Sequence, residues 1–579
     1  MTLDKTTEQN VNTWLNGNYD EETKAAIRKM AAENPEELNE SFYKNLEFGT
    51  GGLRGIMGIG TNRMNRYTVA MATQGLANYV LKTIANNAPQ PKAAISHDSR
   101  NNSRQFAEIT AKVLAANGFK VYLFENLRPT PELSFAVRHY GCNIGVMVTA
   151  SHNPKEYNGY KAYWSDGCQL VAPHDTNVIG EVLKIKTLGD IKQSGGEDNI
   201  QIIGKETDEI YLAKILENSL LPDVVKRQHD LKIVYSPLHG TGITLVPQAL
   251  AKMGFTNVHV VEQQAVADGN FPTTKSPNPE EKAAMELSMD LAKSIDADIV
   301  MATDPDADRV GVAVKRNSGQ WMLLNGNQTA SILIYYLLMQ RKRLGLQQPN
   351  DFIVKTIVTS ELLTDIARKN GVKSYDVLTG FKYIGNKILE LEGRERFIGG
   401  GEESYGYLIG DFVRDKDAVS ACTMIAEIAA WAKDQGKTFF DILCDLYVKY
   451  GFYKESLLSI TKKGKSGNEE IKQMMTDFRH NTPKHIAGSD VVCVKDYSTL
   501  LSTDTKTGTA EHIDLPKSDV LQFFTADGSK VTVRPSGTEP KIKFYFGVKG
   551  TLANANDYDT VDQALAQKIE AIKASLELA

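Results

Sequence analysis

A strand–loop–helix–strand pattern occurs three times in this chain, and it restricts the possible folds more than any other sequence feature. The copies cover residues 93–125, 231–262 and 352–378. Two strands joined by a crossover helix form a βαβ unit, and such units build largely parallel sheets covered by helices. The copies recur at intervals of ~120–140 residues, which predicts three related α/β domains. Unrelated βαβ units also resemble one another because they obey the same packing rules, so the pattern does not by itself establish common descent.

A glycine follows the helix in each copy. These glycines are Gly118, Gly254 and Gly371. A left-handed backbone at such a position ends an α-helix, and glycine adopts it without steric strain. We therefore expect the three helices to end just before these residues.

The pattern changes from about Tyr453 onward, where short alternating strands precede one final helix. This order is typical of a smaller α+β domain. We predict four domains, at residues 1–208, 209–324, 325–452 and 453–579. Two polar stretches, residues 190–208 and 462–482, are predicted to be linkers or long surface loops.

Composition excludes several classes of protein. The 579 residues exceed what one core organises, and 42% hydrophobic with 24% charged residues is typical of a globular protein. The formal charge of -5 argues against a nucleic-acid binder. The N-terminus has no secretory pattern, and apolar runs such as Ser331–Met339 reach about half a membrane span. Five dispersed cysteines without a CxxC pair indicate reduced thiols. We expect a cytoplasmic protein with no membrane or nucleic-acid partner.

Ser151 lies in a turn that follows an apolar strand, in the segment VMVTASHNPKEYNGYKAY. A serine on a tight loop after a buried strand is presented at the carboxyl end of the sheet, where α/β proteins bind ligands. Serine, asparagine and proline also favour an ordinary turn for local reasons, so this segment alone leaves both interpretations open. It lacks the GxSxG pattern of acyl-transfer enzymes, and it therefore does not suggest acyl-transfer chemistry.

Asp304, Asp306 and Asp308 alternate in a short loop between two β-rich apolar runs. Three carboxylates this close repel one another, and burial increases the repulsion. A bound cation removes it, and oxygen ligands select Mg²⁺ or Ca²⁺. An EF-hand loop would need glycine in place of Arg309 and glutamate in place of Lys315. We therefore predict a metal-binding loop of another type.

Two further loops have side chains that suit polar ligands, sugar hydroxyls for one loop and a phosphate for the other. Three glycines precede Glu402, Glu403 and Ser404, and carboxylates accept hydrogen bonds from sugar hydroxyls. Residues 534–541 place an arginine, two hydroxyls, a glycine and a lysine within eight positions, which suits a phosphate group. This loop lacks the ending of a Walker A motif, so it does not imply ATP. Ordinary turns remain the alternative for both loops.

A glycine-rich segment near the N-terminus, FGTGGLRGIMGIGTNRMNRYTV, carries Arg54, Arg63 and Arg66. Its GxGxxG spacing is imperfect, and it does not clearly follow a strand. The segment therefore gives little support to a dinucleotide-binding site.

The motifs TASHNP, DPDADR, GEES and RPSGTEPK occur in this order, one in each predicted domain. Together with FGTGGLRG they resemble the signatures of the α-D-phosphohexomutases, the phosphoglucomutase/phosphomannomutase superfamily. The resemblance covers nearly the whole chain. It implies an α/β fold of three related mixed-sheet domains and a smaller C-terminal α+β domain around a central cleft.

The resemblance also implies roles for individual residues. Ser151 is expected to be a phosphoserine that, with Asp304, Asp306 and Asp308, holds one Mg²⁺ per chain. The other implied residues act in transfer (Arg54, Lys161, Arg309) or bind the sugar and its second phosphate (Glu402, Ser404, Lys382, Arg534, Ser536, Gly537, Thr538).

The reaction implied by the resemblance is the interconversion of glucose 1-phosphate and glucose 6-phosphate. Phospho-Ser151 would donate its group to the sugar monophosphate, and the resulting bisphosphate would turn over in the cleft and return its other phosphate. Such transfer depends on charge stabilisation and in-line positioning more than on covalent chemistry. A phosphosugar is thus the expected partner, and a sugar bisphosphate the expected intermediate and activator.

One position departs from part of the family. Several bacterial phosphomannomutase/phosphoglucomutases have a histidine, an acid/base candidate, where this chain has Gly406, which leaves Lys161 as the candidate. Residues 150–175 look more like a branch that includes phosphopentomutases and glucose-1,6-bisphosphate synthases. Phosphopentomutase, phosphomannomutase and bisphosphate synthase activities therefore stay open as alternatives. An inactive metal-binding scaffold is the non-enzymatic alternative, and the oligomeric state is not defined.

Overall fold

The computed structural model of the protein describes residues 3–49, 51–85, 88–462, 464–536 and 541–578. These residues form four sheets that follow one another along the chain. Three of the sheets are mixed and carry helices, and the fourth is antiparallel.

The first sheet has six strands and follows three N-terminal helices. The elements of this part are α1 (Lys5–Asn16), α2 (Glu21–Glu33), α3 (Pro35–Phe42), β1 (Gly52–Ile56), α4 (Arg66–Thr83), β2 (Lys92–His97), α5 (Ser103–Ala116), β3 (Lys120–Phe124), α6 (Thr130–His139), β4 (Ile144–Val148), β5 (Tyr157–Trp164), α7 (His174–Val182) and β6 (Ile200–Ile203). The strand order is β1-β5-β4-β2-β3-β6. Strands β4, β2, β3 and β6 are parallel, and β5 and β1 extend the sheet in antiparallel fashion.

The second sheet has five strands. Its part of the chain contains α8 (Lys205–Leu216), α9 (Pro222–Arg227), β7 (Ile233–Ser236), α10 (Val246–Met253), β8 (Val258–Val260), α11 (Glu262–Ala265), α12 (Lys282–Ile295), β9 (Ile299–Thr303), β10 (Val310–Lys315) and β11 (Trp321–Leu323). The order is β11-β10-β9-β7-β8. Strands β9, β7 and β8 are parallel, whereas β10 and β11 are antiparallel to their neighbours.

The third sheet has four strands and is covered by long helices. Its elements are α13 (Gly326–Arg343), β12 (Asp351–Thr356), α14 (Glu361–Lys369), β13 (Lys373–Val377), α15 (Phe381–Leu391), β14 (Arg396–Gly401), β15 (Tyr407–Ile409), α16 (Ala418–Asp434) and α17 (Phe439–Tyr450). The order is β13-β12-β14-β15, with only β15 antiparallel.

The last sheet is antiparallel throughout its described strands. Its elements are β16 (Phe452–Thr461), α18 (Gly464–His480), β17 (His485–Ile486), β18 (Ser489–Asp496), β19 (Leu501–Asp504), β20 (Ala510–His512), β21 (Leu521–Thr525), β22 (Lys530–Pro535), β23 (Lys541–Gly550) and α19 (Tyr558–Ser575). The order is β16-β23-β22-β21-β18-β19-β20, and β17 pairs with β18.

The three mixed sheets share one arrangement of four strands. It is β3-β2-β4-β5 in the first sheet, β8-β7-β9-β10 in the second and β13-β12-β14-β15 in the third. The predicted βαβ units supply the first two strands of each set, and Gly118, Gly254 and Gly371 have φ angles of 88°, 113° and 71° at the helix ends. The predicted fold of three related α/β domains and a smaller C-terminal domain is confirmed.

The central strands lie in the core because helices cover both faces of the mixed sheets. Every residue of β4, β9 and β12 is buried. Strands β4 and β9 are near-continuous apolar runs because neither face meets water. The turns that follow these strands are therefore anchored to a rigid part of the sheet.

One predicted loop is wrong and the other is wrong in part. Residues 464–480 form α18, and residues 190–208 contain the edge strand β6 and the start of α8. Ile471 and Met475 of α18 are buried in the core, and Phe478 packs against the same cluster. Their spacing of four and three residues is that of a helix face, which the many polar residues between them obscured.

No helix among the described residues is both long and apolar enough to cross a membrane. The five cysteines are free thiols, four of them buried and Cys493 half-buried. This agrees with the prediction of reduced thiols.

Gly75 in α4 offers a test of how closely α4 and α7 pack. A Cβ at this position would lie 2.6 Å from Cα and 2.7 Å from N of Val182 in α7. Alanine usually stabilises a helix interior over glycine by ~0.5–1 kcal/mol. Here backbone atoms cannot rotate away, so we expect Gly75→Ala to destabilise the protein by ~1–3 kcal/mol, measured as a lower Tm.

Gly180 in α7 is the matched control. A Cβ there would meet nothing within 4 Å. Gly180→Ala should therefore leave Tm unchanged or raise it. If both variants shifted Tm in the same direction, the close contact between α4 and α7 would be contradicted.

Candidate active site

The motif loops occupy equivalent positions in the three mixed sheets. Ser151 lies between β4 and β5, the three aspartates lie between β9 and β10, and Glu402 lies between β14 and β15. Each loop follows the carboxyl end of a parallel strand, the edge where α/β proteins bind ligands. The hairpin of β22 and β23 adds Arg534.

These four hairpins line one cavity of about 450 Å³, called the central cleft below. Its described lining includes ten residues with functional side chains: Arg54, Ser151, Lys161, Asp308, Arg309, Lys382, Glu402, Ser404, Lys416 and Arg534. Asp304 and Asp306 are buried directly behind this lining. The structure therefore brings together side chains from all four sheets.

The Ser151 hydroxyl points at the acidic loop. Its Oγ donates a hydrogen bond to Oδ2 of Asp304 over 2.7 Å. The backbone of Ser151 is left-handed, with φ at 51°, and its N–H donates to Oγ1 of Thr149 over 2.8 Å. Non-glycine residues rarely adopt this conformation, and it often marks a functional position.

The three aspartates form a compact buried cluster. One carboxylate oxygen of each lies within 4.8 Å of the others. Oδ1 of Asp304 accepts hydrogen bonds from the backbone N–H groups of Asp308 and Arg309 at 3.1 and 3.0 Å. The loop backbone thus fixes the first carboxylate of the cluster.

Two lysines face the cluster. Nζ of Lys161 lies 2.7 Å from Oδ2 of Asp306 and 3.1 Å from Oδ2 of Asp308, and Nζ of Lys416 lies 3.2 Å from the latter oxygen. Within the described part of the chain, Oδ1 of Asp306 and Oδ1 of Asp308 have no hydrogen-bond partner. Buried carboxylate oxygens without a partner, close to Ser151, are the ligands that a hard divalent cation takes.

The lysines compensate the three carboxylates unequally. Burial raises the pKa of Asp304 well above its usual value, and the charges of Asp306 and Asp308 raise it further. Burial acts in the same direction on Asp308, but Lys161 and Lys416 outweigh it and bring the pKa of Asp308 well below its usual range. Asp304, the partner of Ser151, is therefore less well compensated by positive charge than Asp308 is.

Glu402 is a further buried carboxylate in the lining of the central cleft. Its Oε1 accepts a hydrogen bond from the backbone N–H of Gly380 over 2.9 Å. Burial raises the pKa of Glu402 to about 7, although Lys416 opposes this shift. A carboxylate with free acceptor positions suits a sugar hydroxyl.

The two glutamates of the GEES motif have different surroundings. Oε2 of Glu403 accepts from the hydroxyls of Thr356 and Thr359, at 3.2 Å each, and Glu403 is not among the described residues that line the central cleft. Ser404 lines the cleft next to Glu402. Glu402 and Ser404 of this motif therefore line the central cleft, and they are the two residues of the motif that the resemblance implied would bind the sugar.

The three N-terminal arginines are separated in the structure. Arg54 lies on β1 in the central cleft, with Nη1 3.4 Å from Oδ1 of Asn153. Arg63 binds Oε1 of Glu37 at 3.0 Å, and Arg66 pairs with Asp20 outside the cleft. Arg54 is thus the member of the trio available to a ligand in the cleft.

The remaining predicted site residues contact different parts of the chain. Arg309 donates from Nη1 to Oε1 of Glu280 over 2.6 Å. Nζ of Lys382 lies 3.8 Å from Oδ2 of Asp175. The backbone N–H of Ser536 donates to the carbonyl of Lys541 over 2.7 Å. Two predicted phosphate-binding residues lie outside the described residues, namely Gly537 and Thr538.

Lys416 is a cleft residue that the sequence did not reveal. It belongs to the run Arg414-Asp415-Lys416-Asp417, and all four of these side chains are buried. Four consecutive charges between an apolar strand and an apolar helix would have been the signal, because charged residues are almost never fully buried unless they are paired.

Gly406 makes room for Lys416. A Cβ at Gly406 would overlap with Cδ of Lys416 and lie 2.6 Å from its Cγ. The lysine side chain therefore crosses the position where some family members carry a histidine.

The fold and the cleft are those of a multidomain α/β enzyme. Models of the phosphoglucomutase/phosphomannomutase family match four successive parts of the chain. They are alpha/beta/alpha domain I at residues 45–188, domain II at 209–319, domain III at 325–450 and the C-terminal domain at 492–560. The chain belongs to this family of phosphohexomutase isomerases, as its motifs predicted.

Similar proteins extend over most of the chain. The phosphoglucomutase of Staphylococcus haemolyticus is 39% identical over 531 residues, which is 90% of this chain and 93% of that protein. The phosphoglucomutase of Staphylococcus aureus is 39% identical over 543 residues, 93% of this chain and 94% of that protein.

Solved structures share the fold. The open form of pp63/parafusin, a phosphoglucomutase from Paramecium, has a TM-score of 0.68 at 18% identity and covers 93% of this chain and 95% of its own. The putative phosphomannomutase of Thermus thermophilus has a TM-score of 0.66 at 19% identity, with 92% and 98% covered.

The aspartate cluster predicts stabilisation by divalent cations. A cation would offset the repulsion among three buried carboxylates, and a ligand at 100 times its Kd stabilises a protein by ~2.7 kcal/mol. We expect Tm to rise with added Mg²⁺, and Asp306→Asn to lose most of this rise.

Asp290→Asn is the control for this experiment. Asp290 lies in the same part of the chain, and its side chain is 61% exposed. This variant should keep the full rise in Tm. A wild-type protein that shows no response to the cation, or an equal response in Asp306→Asn, would exclude the site.

Proposed function

We propose that this enzyme interconverts glucose 1-phosphate and glucose 6-phosphate through phosphorylated Ser151 and a bisphosphate of the sugar. The observation that carries the proposal is the 2.7 Å hydrogen bond between Ser151 and Asp304 at the wall of a cleft that also contains Glu402 and Arg534. The two staphylococcal phosphoglucomutases support glucose as the sugar, because each is 39% identical over at least 90% of the chain.

Mg²⁺ is the proposed metal, with Asp304, Asp306, Asp308 and an oxygen of phospho-Ser151 as its ligands. When bound, it neutralises charge on the phosphoryl group that is transferred. The unpartnered oxygens of Asp306 and Asp308 support this assignment.

Cationic side chains around Ser151 supply the rest of the charge stabilisation. Arg54, Lys161 and Arg309 line the central cleft beside the serine. A transferring phosphoryl group spreads negative charge over its outer oxygens, and fixed cations stabilise this charge without reorganisation. We assign these three residues to the transferring phosphate.

Other residues of the cleft are assigned to the remainder of the substrate. Glu402 and Ser404 are assigned to sugar hydroxyls, and Lys382 to the sugar as well. The non-transferring phosphate is assigned to the hairpin loop with Arg534, Ser536, Gly537 and Thr538. Because the bisphosphate must present each of its phosphates to Ser151 in turn, this loop has to accept a phosphate on either end of the sugar.

Two lysines are the candidates for proton transfer to and from the sugar oxygen. Lys161 and Lys416 both lie within 3.2 Å of Oδ2 of Asp308 and both line the central cleft. A lysine there can give its proton to the sugar oxygen that loses a phosphoryl group and take it back in the reverse direction. Lys416 thus joins Lys161, which was the single candidate from the sequence.

The test of the proposed function is the mass and activity of Ser151→Ala. We expect wild-type protein treated with glucose 1,6-bisphosphate to be ~80 Da heavier, the mass of one phosphoryl group, and to lose this mass on incubation with glucose 1-phosphate. Ser151→Ala should not gain the mass and should lose mutase activity. Near-wild-type activity in this variant would exclude the phosphoserine mechanism.

Substrate comparison is the control on the choice of sugar. The wild-type enzyme is assayed with phosphates of glucose, mannose and ribose, and kcat/KM is compared because discrimination depends on differential binding of transition states. A higher kcat/KM for the mannose or ribose phosphate would replace glucose by that sugar. A heavier species that no sugar phosphate discharges would favour the inactive scaffold.

We predict that turnover depends on the present position of the Lys416 side chain, which requires glycine at position 406. Gly406→Ala places a methyl group on the path of the Lys416 side chain. General acid–base residues contribute ~10²–10⁴-fold in rate, so we expect kcat to fall ~10²-fold in Lys416→Ala and at least ~10-fold in Gly406→Ala.

The double variant is the control for this prediction. With Lys416 replaced by alanine, the atoms that Gly406→Ala would displace are gone. Adding Gly406→Ala to Lys416→Ala should therefore change kcat little, which a double-mutant cycle measures. Multiplicative effects of the two substitutions would mean that Gly406 acts independently of Lys416.

A further inference from the structure

We propose that Arg100 is the positioning residue for Ser151, which it holds in the orientation required for phosphoryl transfer. Because this role concerns the same serine, it rests on the function proposed above. Arg100 follows β2 and is not one of the described residues that line the central cleft.

The guanidinium of Arg100 holds the whole turn that contains Ser151. Nη2 donates to the carbonyl of Ser151 over 2.6 Å and also to the carbonyl of Asn153. Nη1 donates to the carbonyls of Pro154 and Tyr157 over 2.9 and 3.0 Å. The Arg100 side chain is fully buried, so these four bonds do not compete with water.

A second set of contacts fixes the other side of the Ser151 peptide unit. Nε of Arg100 lies 3.3 Å from Oδ2 of Asp98, and this oxygen accepts from Oγ1 of Thr149 over 2.6 Å. Oγ1 of Thr149 in turn accepts from the N–H of Ser151 over 2.8 Å. Both backbone polar groups of Ser151 are therefore connected to one buried ion pair, Asp98 with Arg100.

Ser151 needs this support because its backbone is left-handed. For an L-residue this conformation is sterically unfavourable, so an unsupported turn would relax toward ordinary angles. Relaxation would turn Oγ away from Oδ2 of Asp304, with which it now forms a 2.7 Å hydrogen bond. Lysine cannot replace Arg100, because a single ammonium group lacks the planar fork that reaches four carbonyls.

The experiment compares transfer with binding in Arg100→Lys. The phosphorylated variant is mixed with glucose 1-phosphate, and loss of ~80 Da from the protein is followed over time. We expect transfer to slow by ~10²-fold, the usual effect of displacing a reacting group by about 1 Å. KM for glucose 1-phosphate should stay within about threefold of wild type, because the sugar and phosphate loops are untouched.

Thr149→Val is the second variant, and it decides the question if Arg100→Lys does not fold. It removes only the hydroxyl that connects Asp98 to the N–H of Ser151, and we expect transfer to slow by ~10-fold. Arg104→Lys is the matched control, since Arg104 is a 62% exposed arginine on the neighbouring helix α5. This control should transfer at the wild-type rate.

The outcomes separate the role of Arg100 from the proposed function. A wild-type protein without a transferable phosphoryl group would overturn the proposed function itself. If wild type transfers and folded Arg100→Lys or Thr149→Val transfers equally fast, Arg100 is not a positioning residue. A lower Tm with an unchanged transfer rate would likewise reduce its role to stability.

Discussion

The charge of three aspartates on one short turn is the constraint on which the cleft depends. These carboxylates belong to the second sheet, but their compensating groups come from its neighbours. Lys161 on β5 and the hydroxyls of Thr130 and Ser151 come from the first part of the chain, and Lys416 follows the third sheet. Because buried like charges are unfavourable unless they are compensated, the same contacts that neutralise the cluster also hold three domains in register around it.

Backbone contacts reinforce this arrangement. Arg309 and Gly406 form an antiparallel bridge between the second and third motif loops, and the N–H of Thr130 donates to the carbonyl of Asp306 over 2.9 Å. The loops are thus bonded to one another and not only to their own sheets. Equivalent hairpins of three similar domains carry Ser151, the aspartate cluster and Glu402, and each hairpin reaches the same central cleft.

Much of the fold could be predicted from the sequence because its information is local. The βαβ units, the glycines after their helices and the change of pattern near Tyr453 are all visible within short windows. Helix α18 was missed because only a few apolar residues mark its buried face. Lys416 and Arg100 could not be selected, because their importance lies in contacts with residues far along the chain, and a single sequence does not show which charged residues are buried. The order of the motifs identified the loops around the cleft. The residues that hold these loops in place, Lys416 and Arg100, are visible only in the three-dimensional structure.

The left-handed backbone of Ser151 has a consequence for which amino acid can occupy that position. Threonine offers the same hydroxyl chemistry, but a β-branched side chain at a positive φ angle is a strong outlier, since its second branch crowds the backbone. The turn therefore favours serine over threonine, although both side chains carry a hydroxyl that could accept a phosphoryl group. With Ser151 as the proposed phosphoryl carrier, its replacement by threonine would first require a different backbone conformation in the turn.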